Sequence, residues 1–317
     1  MASGRPADSM DSPRFTGVRT FMRLPLADSA AGHDFVVAGI PFDTGASYRV
    51  GARFGPMAIR QASALLRPFN PFPPPGIAIF DVLSGADVGD APVVPGYIEE
   101  SYAKITAFVA GILTHGARPL LLGGDHSVAL AELRAVHARV GSLALVQFDA
   151  HSDTWDSYWG KKYTHGTPFR RAVEEGLIDP RHSVQIGMRG SVYDAQDLQA
   201  AKDLGFTLLT TPEVRGHTPA SLGDLVRKVT AGMPVFLSFD VDFLDPSVAP
   251  GTGTPEVGGF TTYEAQAMLR ELGGLDLQAA DVVECLPAYD HAEITALAAA
   301  NIALEIISLY ARRGRTR

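Results

Sequence analysis

Short apolar runs alternate with longer amphipathic stretches along most of the chain. Runs such as FVVAGI (35–40) and LALVQFD (143–149) stay apolar over consecutive positions, unlike a strand with one solvent-facing side. Eight such runs predict strands, at 35–40, 77–82, 118–124, 143–149, 183–189, 206–211, 234–240 and 281–286. The amphipathic stretches predict helices at 98–114, 127–140, 194–204, 219–231, 262–273 and 292–312. This alternation is typical of an α/β protein with a parallel sheet.

The repeated strand–helix units fit two architectures. One is a closed (β/α)₈ barrel and the other is an open three-layer α/β/α sandwich, and hydrophobic periodicity does not distinguish them. Both place functional side chains at the carboxyl ends of the strands. The segments rich in proline and glycine, 70–76 and 249–259, have the length of loops rather than of domain linkers. We therefore predict one domain over residues 15–317, after a flexible polar lead at 1–14.

Composition narrows the function classes. The chain has 317 residues and a formal net charge of −8, so it lacks the basic excess with which nucleic-acid-binding proteins neutralise phosphates. A cationic small molecule remains compatible with that charge. The single cysteine, Cys285, excludes an intrachain disulfide and suits a reducing compartment. We see no secretory signal and no apolar run near the roughly 20 residues that span a bilayer, and we expect a cytoplasmic protein without membrane contacts.

Acids and histidines gather where three predicted strands end. The residues concerned are Asp125 and His126, then Asp149, His151 and Asp153, and then Asp240 and Asp242. A spacing of two along extended backbone turns side chains to the same side. Each residue taken singly is more commonly a helix cap or a loop residue. Together, two histidines and four carboxylates are too costly to bury without a cation.

The donor types indicate which cation. Carboxylates with some imidazole suit Mn²⁺, with Ni²⁺ and Zn²⁺ less favoured. Six ligands exceed the need of one open catalytic ion, whereas two ions roughly 3.5–4 Å apart that share carboxylates use them all. The pattern therefore predicts a binuclear centre.

Three blocks carry a resemblance to a known family. GGDHS (123–127), FDAHSD (148–153) and SFDVDFLDPSVAPGTGTPEVGG (238–259) resemble the signature blocks of the ureohydrolases, the family of arginases and agmatinases. The likeness runs from about residue 21 to residue 305. It implies a three-layer α/β/α sandwich with an eight-stranded, mostly parallel sheet, two Mn²⁺ per subunit (Ni²⁺ being possible), and a homotrimer or homohexamer.

The resemblance also implies roles for individual residues. His126 and Asp153 would bind one ion, His151 and Asp242 the other, and Asp149 and Asp240 would bridge the two. Asp153 would in addition accept the proton of the attacking hydroxide, and His165, in YTHGTPF, matches the histidine that transfers protons. Glu284 matches the acid that pairs with the guanidinium of the substrate. Cys285 departs from the family, which usually has a small aliphatic residue there, so it is either a small buried hydrophobe or part of a reshaped pocket floor.

The loop TWDSYWGKKYTHG (154–166) is unusually aromatic. Trp155 and Trp159 are candidates for stacking on a cationic substrate, an interaction that contributes about 0.5–2 kcal/mol. The alternative is that these rings pack under the loop or at a subunit interface.

The expected reaction is hydrolysis of a guanidino compound to urea and an amine. Agmatine, which would give putrescine, is the first candidate, because PAYDHAEITALAAANIALE (287–305) resembles bacterial agmatinases. YWGKKYTHGTPFRRAVEEGLIDP (158–180) also resembles proclavaminate amidinohydrolases and guanidinobutyrases, so a guanidino acid is the alternative. An aromatic rim is also compatible with a small alkylguanidine or a biguanide.

Two other classes remain as alternatives. A deacetylase of related fold binds one zinc ion and does not need His126 or Asp153. A non-catalytic partner subunit would be expected to lose ligands, whereas this chain keeps the six predicted ligands together with His165 and Glu284. The number of bound metal ions distinguishes the first alternative, and urea release by the purified chain distinguishes the second.

Overall fold

Eight parallel strands form the central sheet of the computed structural model, which describes residues 4–194 and 196–314. In chain order these are β1 (Phe35–Gly39), β4 (Gly85–Asp90), β5 (Arg118–Leu122), β6 (Ala144–Phe148), β7 (Val184–Met188), β8 (Thr207–Thr210), β9 (Pro234–Asp240) and β10 (Asp276–Val283). A separate antiparallel pair consists of β2 (Phe69–Asn70) and β3 (Ile77–Ala78). The order across the sheet is β4-β1-β5-β10-β9-β6-β7-β8. Because the outermost strands do not pair, the fold is the open sandwich and not the barrel.

Seven of the eight predicted strands are found. The strand predicted at 281–286 is β10, which begins five residues earlier and ends three residues earlier than predicted. The prediction at 77–82 is wrong. That run supplies only β3 before the short helix α2 (Ile79–Val82), which buries Ile79 and Phe80. A short apolar run is compatible with either element, so periodicity does not decide between them. The eighth strand is instead β4, whose sequence GADVGD carries no apolar run. It pairs in parallel with β1 at the edge of the sheet, where backbone hydrogen bonds hold it.

Helices cover both faces of the sheet. Besides α2 they are α1 (Gly55–Ser63), α3 (Ile98–Leu113), α4 (Val128–Val140), α5 (Pro168–Glu174), α6 (Gln196–Leu204), α7 (Thr211–Arg215), α8 (Pro219–Thr230), α9 (Thr262–Arg270) and α10 (Ile294–Arg313). The six predicted helices are confirmed, with α9 ending earlier than expected. The sequence pattern missed α1, α2, α5 and α7. The last three have at most seven residues, too few for a clear helical period, whereas α1 has nine, as many as the predicted α6 and α9.

Alternate strand residues enter two separate cores. Val36 and Leu121 pack with residues of α3 and α4 on one face of the sheet. Val37, Leu120 and Leu122 pack with residues of α1 and α10 on the other face. This parity explains the continuous apolar runs, since both faces of each central strand are buried. The three-layer prediction is confirmed.

Helix α10 is long and apolar enough, by length and composition alone, to cross a membrane. However, 78% of its most apolar window is buried inside the fold. It packs against α1 and α9, and its buried residues Thr295, Glu305 and Ser308 are polar. It is therefore the core helix of one layer.

The polar lead contacts the body of the protein. The carbonyl of Gly4 accepts a hydrogen bond from Gly85 N–H at 2.8 Å, and the carbonyl of Ser12 accepts from the Arg23 guanidinium at 2.9 Å. Residues 1–3 lie outside the described residues. The domain boundary at residue 15 stays a prediction.

The carboxyl end of β5 illustrates how closely the chain approaches itself near the candidate site. Gly124 lies at this strand end, and its carbonyl accepts a hydrogen bond from Glu284 N–H at 2.9 Å. A Cβ atom at this position would overlap the backbone carbonyl of Phe42, which itself accepts from Asp125 N–H at 2.8 Å. Only glycine fits between these two backbones.

We predict that Gly124→Ala destabilises the protein by about 3 kcal/mol or more, because the clash is with backbone and not with a flexible side chain. The matched control is Gly111→Ala in α3, where a Cβ meets nothing within 4 Å. That change should stabilise the fold by about 0.5–1 kcal/mol, since alanine favours helix. Chemical denaturation of both variants measures the difference, and equal stability of the two would contradict the close approach.

Candidate metal centre

The carboxyl ends of β5, β10, β9 and β6 are neighbours in the middle of the sheet. Each end carries predicted site residues. They are His126 after β5, Glu284 after β10, Asp240 and Asp242 at the end of β9, and Asp149, His151 and Asp153 after β6. Asp149, Asp242 and Glu284 are at most 1% exposed. The fold therefore brings all of these side chains into one mostly buried region, in which the His151 side chain remains 32% exposed.

A first group of donors surrounds the imidazole of His126. Its Nδ1 lies 3.0 Å from Asp149 Oδ2, 2.9 Å from Asp153 Oδ2 and 3.4 Å from Asp240 Oδ2. The donor atoms of His126, Asp149 and Asp153 all lie within 4.8 Å of one another, which is compact enough to hold one ion.

A second group surrounds His151. Its Nδ1 lies 3.0 Å from Asp242 Oδ2 and 3.5 Å from Asp149 Oδ1. Asp149 thus turns one carboxylate oxygen toward each group, as a bridging ligand would. Asp240 faces the first group with Oδ2, whereas its Oδ1 accepts from Asp242 N–H at 2.8 Å. Its bridging role stays a prediction.

Hydrogen bonding fixes the tautomer of His126. The Ser238 hydroxyl donates to Asp281 Oδ1 at 2.7 Å, so it accepts from His126 Nε2–H at 2.8 Å. The neutral imidazole then carries its lone pair on Nδ1, which has no hydrogen-bond partner among the described residues. This lone pair faces the oxygens of three carboxylates, which repel it unless a positive charge lies between the nitrogen and the oxygens. The donor set therefore fits a metal ion.

The electrostatics of the protein groups alone agree with that fit. Burial raises the pKa of Asp242 to about 6, and the neighbouring Asp149 carboxylate contributes in the same direction. Burial and the charges of Asp242 and Asp149 raise the pKa of Asp240 well above its usual value. Burial lowers the pKa of His126, but the surrounding carboxylates outweigh it and leave that pKa well above its usual range. The site thus attracts positive charge, whether a proton or a divalent ion.

Two glutamines orient the ligands, and sequence reasoning missed both. Gln147 Nε2 donates to Asp149 Oδ2 at 2.7 Å and to the His151 carbonyl at 3.0 Å. Gln185 Nε2 donates to Gln147 Oε1 at 2.6 Å. Outer partners of this kind set the direction of metal ligands. Each glutamine could have been noticed in the sequence as a polar residue inside an otherwise apolar strand. Ser238 could have been noticed in the same way.

Asp125 belongs to the strand-end pattern but not to the donor groups. Its Oδ2 accepts from Gly45 N–H at 2.7 Å, and its Oδ1 accepts from Ser127 N–H at 3.0 Å. The carboxylate therefore fastens the loop after β1 beside the site.

His165 and Glu284 lie together, as a pair of the predicted catalytic residues. His165 Nδ1 is 2.9 Å from Glu284 Oε1, which also accepts from His126 N–H at 2.9 Å. Burial lowers the pKa of His165, but Glu284, Asp153 and Asp125 outweigh it and raise the pKa to about 9. Glu284 Oε2 has no hydrogen-bond partner among the described residues, although it is buried. Glu284 is not among the residues that line the cavity described below, and its pairing with a guanidinium stays a prediction.

Two predicted catalytic residues have strained backbone, among eight non-glycine residues with positive φ that the structure describes. Asp153 has φ of 52° and Glu284 has φ of 61°, in the left-handed region that non-glycine residues seldom adopt. Such conformations cost on the order of 1–3 kcal/mol each and persist where the surroundings hold them.

A cavity of about 460 Å³ opens beside the two groups. Its inner wall includes His151, Asp153, Asp240 and His165, and its outer wall includes Trp155, Tyr158, Trp159 and Tyr193. The rings of Trp155 and Tyr158 are 4.5 Å apart between centroids, and those of Trp155 and Tyr193 are 5.2 Å apart. The aromatic residues therefore pack on one another and also line the cavity. Trp159 is 74% exposed, and substrate contact by Trp155 and Trp159 stays a prediction.

Cys285 lies on the far side of the strand end. It is fully buried in the core shared with α1, and its Cβ is near Gly55 of that helix. Cysteine here takes the place of a small hydrophobe and is not part of the cavity wall.

Comparison with known proteins supports one family. A model of the arginase family matches residues 33–308. A guanidinopropionase of Pseudomonas aeruginosa is 46% identical, over 97% of this chain and 96% of that protein. An agmatinase of Neisseria meningitidis is 44% identical, over 91% of this chain and 92% of that protein. The solved structure of proclavaminate amidinohydrolase from Streptomyces clavuligerus superposes with a TM-score of 0.90 at 42% identity, and covers 95% of this chain and 99% of that one.

We predict that Asp149→Ala abolishes tight metal binding, because Asp149 directs one carboxylate oxygen toward each donor group. After loading with manganese and removal of free ions, elemental analysis should find two ions per chain in the unaltered protein and none in the variant. Asp224→Ala is the control, since this carboxylate is 77% exposed and pairs only with Arg227. An Asp149→Ala protein that holds two ions would contradict the shared-ligand assignment.

Proposed function

This chain belongs to the arginase family, and from that membership we propose that it hydrolyses agmatine to putrescine and urea. The coarser statement, that it is a hydrolase acting on guanidino compounds, rests on relatives at 40–46% identity that include guanidinopropionase, proclavaminate amidinohydrolase, guanidinobutyrase and agmatinase. The observation that carries the reaction class is Glu284, a buried carboxylate with one unpartnered oxygen beside the donor groups. Within that class, the carboxylates that line the cavity favour agmatine.

Two divalent ions would be held by the donor groups. His126 and Asp153 would hold one, His151 and Asp242 the other, with Asp149 and Asp240 shared. When bound, such a pair supplies hydroxide at neutral pH as the nucleophile. Oxygen-rich ligation favours Mn²⁺, and Ni²⁺ is the second choice. The mostly carboxylate set and the two separate groups favour this centre over the single zinc of a deacetylase.

Glu284 would bind the guanidinium. Its Oε1 is already held by His126 N–H and by His165, which fixes the direction of the carboxylate. Oε2 is left to accept an N–H of the planar guanidinium, and charge-assisted bonds of this kind are among the strongest in proteins. The substrate carbon would thereby be placed next to the donor groups.

Asp153 and His165 would handle the protons. Asp153 borders both the first donor group and the cavity, so its carboxylate is placed to accept a proton from the nucleophile. His165 would supply the proton that the departing amine needs before the carbon–nitrogen bond breaks. The neighbouring carboxylates of Glu284, Asp153 and Asp125 raise the pKa of His165 to about 9, which favours its protonated form as a proton donor.

The charges around the cavity favour a cationic tail such as that of agmatine. Asp197 and Glu256 contribute carboxylates to the lining, and no lysine is among the lining residues that the structure describes. Arg189 does line the cavity, but its guanidinium donates to backbone carbonyls, among them those of Asp242 and Glu256. The aromatic wall adds ring faces, which also attract cations.

A guanidino acid is the second candidate. It is favoured by the relatives named guanidinopropionase and guanidinobutyrase, at 46% and 43% identity. A small alkylguanidine or a biguanide is a third candidate substrate, because the aromatic wall of the cavity is compatible with either. A homotrimer or homohexamer and a cytoplasmic location stay predictions.

We predict that the purified chain, loaded with manganese or nickel, releases urea from agmatine, and that Glu284→Gln lowers kcat/KM by about 100-fold while both ions are retained. The panel should include agmatine, guanidinobutyrate, guanidinopropionate, arginine and metformin. No urea from any of these compounds would overturn the reaction class. Normal turnover by Glu284→Gln would remove Glu284 from the site.

We predict further that Glu256→Gln raises KM for agmatine about fivefold, the loss expected when a partly exposed charge pair worth about 1 kcal/mol is removed. KM for guanidinobutyrate should stay the same or fall, because a carboxylate tail no longer meets a like charge. Glu99→Gln, an exposed position in α3, serves as the control. The opposite selectivity, with a loss confined to guanidinobutyrate, would contradict the cationic-tail proposal.

A further inference from the structure

Both ring nitrogens of His165 are engaged. Nδ1 faces Glu284 Oε1 at 2.9 Å, and Nε2 lies 2.6 Å from the Ser47 hydroxyl. The backbone N–H of Ser47 also donates to Nε2, at 3.1 Å. Neither ring nitrogen is therefore without a partner, and a proton that leaves the imidazole passes first to one of these partners.

The Ser47 hydroxyl is suited to both charge states of the histidine. A neutral imidazole with its proton on Nδ1 accepts at Nε2, and the hydroxyl donates to it. A protonated imidazole donates from Nε2, and the hydroxyl accepts. The backbone N–H of Ser47 is a donor only, so its bond to Nε2 belongs to the neutral imidazole and is given up when Nε2 carries a proton. The hydroxyl fits both states.

The contact is held by backbone bonds on both sides. His165 N–H donates to the Gly45 carbonyl at 2.9 Å, and Gly45 N–H donates to the buried Asp125 carboxylate at 2.7 Å. This explains why Asp125 occupies a strand end without joining the donor groups. Ser47 also lines the cavity, together with Asp153 and Asp240. Ser47 consequently contacts the imidazole through its hydroxyl and is also part of the cavity wall.

We propose that the Ser47 hydroxyl relays a proton from His165 to the departing amine, an inference that rests on the proposed guanidine hydrolysis. As the carbon–nitrogen bond breaks, its electron pair stays on the departing nitrogen, which takes the proton of Ser47 Oγ. Ser47 Oγ takes the proton of His165 Nε2 in the same step. His165 becomes neutral and keeps its Nδ1–H bond to Glu284, and solvent returns a proton to Nε2 before the next cycle.

A purely structural role for Ser47 makes different predictions. If the residue only orients the imidazole, its loss should change substrate affinity or metal content along with turnover. If the hydroxyl carries the proton, its loss should act on the proton-transfer step alone. The number of protons that move in the rate-limiting step distinguishes the two roles.

The experiment compares Ser47→Ala, Ser47→Thr and the unaltered enzyme, each loaded with manganese and assayed on agmatine in mixtures of light and heavy water. We expect Ser47→Ala to lower kcat by about 10–100-fold, within the range of general acid catalysis, with KM within about twofold and metal content unchanged. The dependence of kcat on deuterium fraction should be curved for the unaltered enzyme and linear for Ser47→Ala. Ser47→Thr keeps a hydroxyl and should restore most of kcat and the curvature.

Thr44→Val is the matched control, since it removes from the same loop an exposed hydroxyl that accepts from Gly96 N–H and does not bond to His165. It should leave kcat unchanged. Undiminished kcat in Ser47→Ala would overturn the relay, and so would a Ser47→Thr enzyme as slow as Ser47→Ala. Inactivity of the unaltered enzyme on every guanidino compound is a separate result, because it would overturn the proposed function itself.

Discussion

Two imidazoles and four carboxylates that converge in a buried region cannot be stable unless positive charge lies among them. The side chains to which this constraint applies lie at the centre of the sheet, where Asp149 directs one oxygen toward His126 and the other toward His151. Ser238 turns the Nδ1 lone pair of His126 into the group, and Gln147 holds Asp149 from the opposite side. These buried side chains have their clearest physical explanation as a cradle for two cations.

Strand order links that centre to the residues proposed to bind the substrate. Because β10 lies between β5 and β9, Glu284 emerges next to His126 and bonds to its backbone N–H. His165 joins the same carboxylate, and Ser47 joins His165 on the side of the cavity. A continuous set of hydrogen bonds thus runs from a candidate metal ligand to the cavity wall. Catalysis of guanidine hydrolysis would depend on that continuity, since nucleophile, guanidinium and leaving group must be positioned together.

The sequence was sufficient to predict the central features, and the reasons for its failures are physical. Strand-end spacing located the donors, because parallel strands bring their carboxyl ends to one edge. Run length alone misassigned 77–82, and the polar edge strand Gly85–Asp90 gave no apolar signal. Gln147 and Ser238 showed only as polar residues in apolar strands, and their partners depend on neighbours far along the chain. Ser47 gave no signal, since its contact with His165 spans 118 positions.

The account is tested most directly by anomalous X-ray diffraction from crystals of the manganese-loaded protein. We expect two strong peaks between the donor groups, one at coordination distance from His126 Nδ1 and the other from His151 Nδ1, with Asp149 in contact with both. A single peak, or no peak at these side chains in a crystal soaked with excess manganese, would contradict the claim that the buried carboxylates exist to hold a pair of cations.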